Sequence, residues 1–156
     1  MRERIDTARL ALVPISPAVA KAILAGDLSV LRAGEGWPHA ETLLPLRAAE
    51  KYKAEPGWLV TLDGVVIGDC HTHGPPDGAG DVEIGYGLAE PYRGFGYGSE
   101  LVRAMSQWLL DQPDTRRVVA RHVQIANAPS RRALESAGFV LERSDDEHAW
   151  YALSRA

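Results

Sequence analysis

Cysteine is nearly absent from this sequence. Cys70 stands alone among 156 residues, and one thiol can neither close an internal disulfide nor supply a multi-thiolate zinc site, which excludes a disulfide scaffold and a zinc finger. A cytoplasmic setting is the expectation. Positive charge is not in excess either: 17 Lys and Arg stand against 21 Asp and Glu, a net charge of −4 with no basic tail. Binding to bulk nucleic-acid phosphate therefore has no electrostatic footprint, and cationic partners suit the chain better. No run of about 18 apolar residues is present, so no membrane segment is expected. The opening Met1-Arg2-Glu3-Arg4-Ile5-Asp6 has no apolar core of the signal-peptide kind, so an unprocessed chain is expected. What remains is ordinary globular composition, 46% hydrophobic and 24% charged. At this length it fits one domain that buries roughly 68–70% of its unfolded surface without disulfides or a structural metal.

Arg9 to Pro14 is a short apolar run stopped by proline and reads as a first strand. Ser16 before Pro17 is a helix start, with Val19, Ile23 and Leu24 at helical spacing up to Gly26. Leu28 to His39 holds Gly34, Gly36 and Pro38 and reads as a loop. A second helical stretch covers about Ala40 to Lys53, interrupted or kinked by Pro45. Gly57 to Leu62 and Val65 to about His73 flank Asp63-Gly64, the two-residue signature of a β-hairpin. Asp81 to Leu88 alternates strictly, with Val82, Ile84, Tyr86 and Leu88 on one face of a half-buried strand. Between Gly98 and Gln112, Leu101, Val102, Met105, Trp108 and Leu109 form one helical stripe. A strand over Val118 to Val123, a short helix over Pro129 to Ala137, and strands over Phe139 to Leu141 and Ala149 to Leu153 complete a mixed α/β domain with one central sheet.

The segment richest in chemistry is Arg93-Gly94-Phe95-Gly96-Tyr97-Gly98, between a strand and an amphipathic helix. Glycines let a backbone turn tightly and approach a ligand closely, and the N–H groups at the start of a helix attract anions, so the segment suits phosphates. It lacks the spacing of a dinucleotide fingerprint and the terminal Gly-Lys-Ser/Thr of a nucleotide-triphosphate loop. The second such segment is Asn127-Ala128-Pro129-Ser130, leading to Gly138-Phe139, which by itself reads as a capped helix with a glycine stop.

Together the two segments resemble the GNAT superfamily of acyl-CoA N-acetyltransferases. Arg93-Gly94-Phe95-Gly96-Tyr97-Gly98 matches its Arg/Gln-x-x-Gly-x-Gly/Ala signature at Arg93, Gly96 and Gly98, and Asn127, Ser130, Gly138 and Phe139 match its second motif. Thr7-Ala8-Arg9-Leu10-Ala11-Leu12 is similar to the opening of the RimJ/RimL branch. The match is strongest from about Val82 to Phe139, while Gly26 to Glu55, where acceptors usually bind in the family, matches nothing specific. The resemblance implies an α/β (α+β) GNAT-like single domain over residues 1–156. Its central sheet would be mixed and mostly antiparallel, with about seven strands and about four helices. The fourth and fifth strands, Val82–Leu88 and Val118–Val123, would splay apart to admit acetyl-CoA. Backbone groups near Leu88 would hold the pantetheine. N–H groups of Arg93, Gly94, Phe95, Gly96, Tyr97 and Gly98 would hold the pyrophosphate, with Asn127 and Ser130 facing the same cleft.

An ammonium acceptor must lose a proton before its nitrogen attacks a thioester. Glu83, which points away from Val82, Ile84 and Tyr86, is the candidate base, with a solvent-facing strand glutamate as the alternative. Many family members place a tyrosine acid seven residues after the asparagine, but Leu134 stands there. Ser130 would donate a proton or order a water in its stead, and a CoA thiolate also leaves without an acid. Trp37 reads as an acceptor-site wall or a packing residue. His71 and His73, on one strand face, line the acceptor pocket or lie at the surface. No metal is expected. The implied reaction is acetyl transfer from acetyl-CoA to a primary amine, a protein N-terminus or a small molecule, in a ternary complex. The alternative is a non-catalytic CoA-binding module on the same fold. A homodimer follows from the family's habit of pairing.

Overall fold

The computed structural model describes residues 2–155. Eight strands, four α-helices and one 3-10 turn follow in the order β1 (Ile5–Asp6), β2 (Leu10–Pro14), α1 (Pro17–Leu24), α2 (Ala40–Tyr52), β3 (Trp58–Leu62), β4 (Val65–Thr72), β5 (Asp81–Leu88), the turn Glu90–Tyr92, α3 (Tyr97–Leu110), β6 (Arg117–Gln124), α4 (Ala128–Ser136), β7 (Val140–Ser144) and β8 (His148–Ser154). The strands form one sheet in the order β1-β2-β3-β4-β5-β6-β8-β7. It is mostly antiparallel, with β5 and β6 parallel. The chain divides into two compact units, one running to His71 and taking in Tyr86–Arg93, the other holding Thr72–Gly85 and the chain from Gly94 on.

In the first unit, Ser16 caps α1 by accepting the Val19 N–H at 3.1 Å, as a serine before Pro17 should. The β3–β4 hairpin turns at Asp63 and Gly64, whose φ values of 49° and 80° are the paired positive angles of a turn that matches strand twist. Apolar residues from several elements pack together here, among them Ile15, Ile23, Trp37, Leu46, Leu59 and Val66. Three details depart from expectation. β1 is an additional strand, paired Ile5 to Leu12; two residues among charges carry no alternation to reveal it. Pro45 lies inside α2 without ending it, so it removes one donor from an otherwise continuous helix. β4 closes at Thr72, leaving His73 just beyond the strand in which it was expected.

In the second unit, α3 buries Leu101, Val102, Met105 and Leu109, the stripe expected from spacing. α3 packs on α4 and β6. Val82 and Ile84 of β5 are buried as the alternation requires. The β5–β6 ladder runs only from Asp81↔Arg117 to Glu83↔Val119, although both strands run on, so the expected parting begins after Glu83. Directly beyond it β6 carries a bulge on its other edge, where Arg121 and His122 stand between the pairs Ala120↔Tyr151 and Val123↔Ala149. A bulge bends its strand and increases local twist, which accounts for β6 leaving its parallel partner there.

Candidate active site

The glycine-rich segment lies where strand gives way to helix. Gly94 and Gly96 have φ of 86° and 84°, angles that L-residues with side chains rarely adopt. A Cβ on Gly94 would meet no atom within 4 Å, so glycine is required there by conformation and not by crowding. Gly96 is the N-cap of α3 and contributes no side-chain cap. The Gly98 and Ser99 N–H groups have no carbonyl one helical turn back, and with the helix dipole they favour an anion. Phe95 is 59% exposed and its ring lies 5.8 Å from that of Tyr97. This geometry fits a pyrophosphate: an uncapped helix start preceded by a backbone free to wrap an anion. Arg93 follows the 3-10 turn, and its Nε donates to the Leu88 carbonyl at 3.1 Å, so its side chain braces the end of β5.

Asn127 is the N-cap of α4, its Oδ1 accepting the Ser130 N–H at 3.2 Å. The two motif residues are therefore neighbours in one capping turn. Leu134, where a tyrosine acid was sought, is fully buried. A phenol does occur next to α4: the buried Tyr151 hydroxyl donates to Glu135 Oε1 at 3.0 Å and accepts from Arg131 Nε at 3.1 Å.

Glu83 is half-buried on β5, with Arg121 Nη1 3.7 Å from its Oε1. It belongs to a charged cluster. Arg117 donates twice to Asp81, at 2.9 and 2.8 Å, and Arg121 Nη2 reaches Asp81 Oδ2 at 3.4 Å and Asp77 Oδ2 at 3.9 Å. The Arg117 hydrogen bonds hold the Asp81 carboxyl below the usual carboxylate range, with the charges of Arg117 and Arg121 adding to them. The His73 N–H donates to the Glu83 carbonyl at 2.8 Å. His73 is exposed and His71 half-buried.

In the first unit, Trp37 is only 4% exposed, and its indole N–H donates to Asp69 Oδ2 at 2.9 Å, the same oxygen that accepts the Thr42 hydroxyl at 2.8 Å. Burial raises the Asp69 carboxyl, opposed by these two bonds. Burial also pushes the Cys70 thiol well up, as expected of an inert core cysteine. Sequence reasoning did not find Asp69 or Arg121. An acid inside the apolar run Val65 to Cys70 was the available signal for Asp69, since a buried carboxylate demands partners. Arg121 had none, because a bulge leaves no mark in residue spacing.

The family model described as acetyltransferase (GNAT) domain matches residues 9–140. A Bacillus subtilis (strain 168) protein described as the uncharacterized N-acetyltransferase YjdG is 30% identical over 83 residues. That match takes in 53% of this chain and 49% of the relative, so the chain matches about half of the relative's length. A GNAT-family acetyltransferase structure from Bacillus anthracis superimposes with a TM-score of 0.71 at 19% identity, over 97% of this chain and 98% of that one. Mycobacterium smegmatis RimJ, solved in complex with CoA-disulfide, gives 0.69 at 23% identity over 97% and 87%. These two likenesses are of fold.

Proposed function

This chain belongs to the GNAT acetyltransferase family, and on that premise we propose that it is an acetyl-CoA-dependent N-acetyltransferase acting on a primary amine. The observation that carries the reading is the loop with Gly94 and Gly96 at positive φ running into the uncapped start of α3. When bound, acetyl-CoA supplies an activated acetyl thioester. The N–H groups from Arg93 to Gly98 hold its pyrophosphate, main chain near Leu88 the pantetheine, and Asn127 and Ser130 complete the donor side. Glu83 takes the proton of the acceptor ammonium, directly or through water, which leaves the nitrogen lone pair free to attack. Ser130 donates to the departing sulfur or orders a water beside it. Main-chain N–H groups polarise the thioester carbonyl.

Trp37, from its buried position, and His71 and His73 are the acceptor-side candidates. A net charge of −4 supports a cationic acceptor, a small amine or a protein N-terminus. Among the described residues no helix is long and apolar enough to cross a membrane. The proposed setting is the cytoplasm, where a lone thiol such as Cys70 stays reduced. The whole chain acts as one catalytic domain. A homodimer is the proposed assembly, supported by the exposed Val140 and Leu141 on the outermost strand β7.

Leu134, buried where a tyrosine acid was sought, favours a second reading, a CoA-binding module without turnover. One experiment separates the two. Acetyl-CoA binding is measured by calorimetry, and thiol release is followed across polyamines, amino acids, aminoglycosides and peptides with Ser or Ala N-termini. Release with any amine, lost in Glu83→Gln, establishes the transferase; binding without release establishes the module; absence of binding removes both.

A further inference from the structure

His122 has a φ of 55°, in the left-handed region that residues other than glycine occupy at a cost in backbone strain. Such strain persists only where the surroundings enforce it, and it gathers at functional sites. Here the surroundings are visible. The His122 ring packs edge-on against Trp150 with centroids 5.0 Å apart and against His148 at 5.7 Å. Arg143 covers Trp150 at 4.1 Å. The strained residue is one of the two β6 residues that stand opposite Trp150 alone in the bulge, and the other is Arg121. Bulges re-aim side chains and recur beside active sites.

Arg121 is aimed at carboxylates. Glu83 pairs with Val119 in the parallel ladder, and Arg121, two residues further along β6, reaches Glu83 at 3.7 Å, Asp81 at 3.4 Å and Asp77 at 3.9 Å. Arg117 is already committed to Asp81 and to Glu142, the latter at 2.7 Å, so Arg121 is the guanidinium that faces Glu83. Without it, Asp77 and Glu83 would lose the guanidinium that reaches both, and repulsion among the neighbouring carboxylates would turn Glu83 away. A base must also face the proton it takes.

We propose that Arg121 is a positioning residue for acetyl transfer: the β6 bulge, locked by the packing of His122 on Trp150 and His148, holds its guanidinium against Glu83 so that this carboxylate stays oriented toward the acceptor amine. The inference rests on Glu83 being the base of the proposed transferase. Arg121 takes no part in bond making. The first ammonium proton passes to Glu83 and on to solvent, the nitrogen lone pair forms the N–C bond, the C–S bond breaks to give the CoA thiolate, and the second nitrogen proton passes to that thiolate, directly or through water, leaving a neutral amide and a thiol.

A double-mutant cycle on the full chain tests it, with Arg121→Gln, Glu83→Gln, the double variant and Arg121→Lys, each assayed for kcat and KM and for acetyl-CoA affinity by calorimetry. Glu83→Gln is expected to lower kcat by on the order of 100-fold, and Arg121→Gln by roughly 10-fold with acetyl-CoA affinity unchanged. In the Glu83→Gln background, Arg121→Gln should cost nothing more, and Arg121→Lys should recover part of the loss. Equal costs of Arg121→Gln in both backgrounds would overturn the proposal, because a merely structural residue acts whether or not Glu83 is present. If Glu83→Gln retains full turnover, the assignment of the base fails and this inference with it. If the wild type transfers acetyl to no amine, the transferase reading fails first. The Cδ resonance of Glu83 in carbon-labelled protein then decides the pairing: a shift in Arg121→Gln supports it, and an unmoved resonance overturns it.

Discussion

Asp81 and Arg117 stand directly opposite each other in the parallel ladder between β5 and β6 and are joined side chain to side chain by two hydrogen bonds, Nε to Oδ1 at 2.9 Å and Nη2 to Oδ2 at 2.8 Å. The carboxylate is buried and the guanidinium about one third exposed. This bidentate pair fastens the short ladder at its start, three residues before β5 and β6 part.

Removing half of it should therefore loosen the second unit. Asp81→Asn is expected to cost about 1–2 kcal/mol, a charge-assisted pair discounted for the exposed side of Arg117, read from urea unfolding at neutral pH. The pH dependence has a definite sign. The Asp81 carboxyl is held below its ordinary range in the folded chain, so its contribution is fully present above the ordinary aspartate range and is lost as pH falls through the lowered value. Wild type and variant should converge in stability at strongly acid pH; a gap that stayed constant down to that range would show that the charge plays no part.

Trp37→Phe deletes one of two donors to the buried Asp69 oxygen while keeping most of the packed ring. A cost of about 1–3 kcal/mol is expected. Burial already raises Asp69 and the indole bond opposes that. A raised carboxyl loses stability as pH climbs from the unfolded value through the folded one. The variant should thus suffer least in acid and more as pH rises toward neutral, measured as thermal midpoints across a pH series.

Gly96→Ala forces a side chain into φ 84° at the start of α3. Left-handed backbone costs such a residue roughly 1–2 kcal/mol, so the midpoint of unfolding should drop modestly. The larger effect is expected on acetyl-CoA, whose dissociation constant should rise by about 10-fold for each 1.4 kcal/mol of backbone donors misaligned. Calorimetry on the folded variant checks this, and an unchanged affinity would take the pyrophosphate away from this loop.

Leu134→Tyr places the family's usual residue on α4, at a position fully buried in this protein. Overpacking there should destabilise the chain by about 1–3 kcal/mol without raising turnover. A gain in thiol release at saturating amine would show that the phenol reaches the reacting sulfur after all.

Features written in consecutive residues could be read directly from the chain. Asp63-Gly64 between apolar runs yields the hairpin, the alternation from Val82 to Leu88 yields β5, and the stripe from Leu101 to Leu109 yields α3, because strand and helix periods are local. The glycines at 94 and 96 announced a turn into a helix for the same reason, and the motifs around them pointed to the family. The pairings arise only on folding. Trp37 meets Asp69 across 32 residues, Thr42 meets it across 27, and Arg117 meets Asp81 across 36. The bulge that turns Arg121 toward Glu83 exists only relative to β8, and β8 enters the chain more than twenty residues later. Hydrogen bonds and charges act over a few ångströms of space, and sequence spacing carries no record of which distant side chains folding will bring within that range.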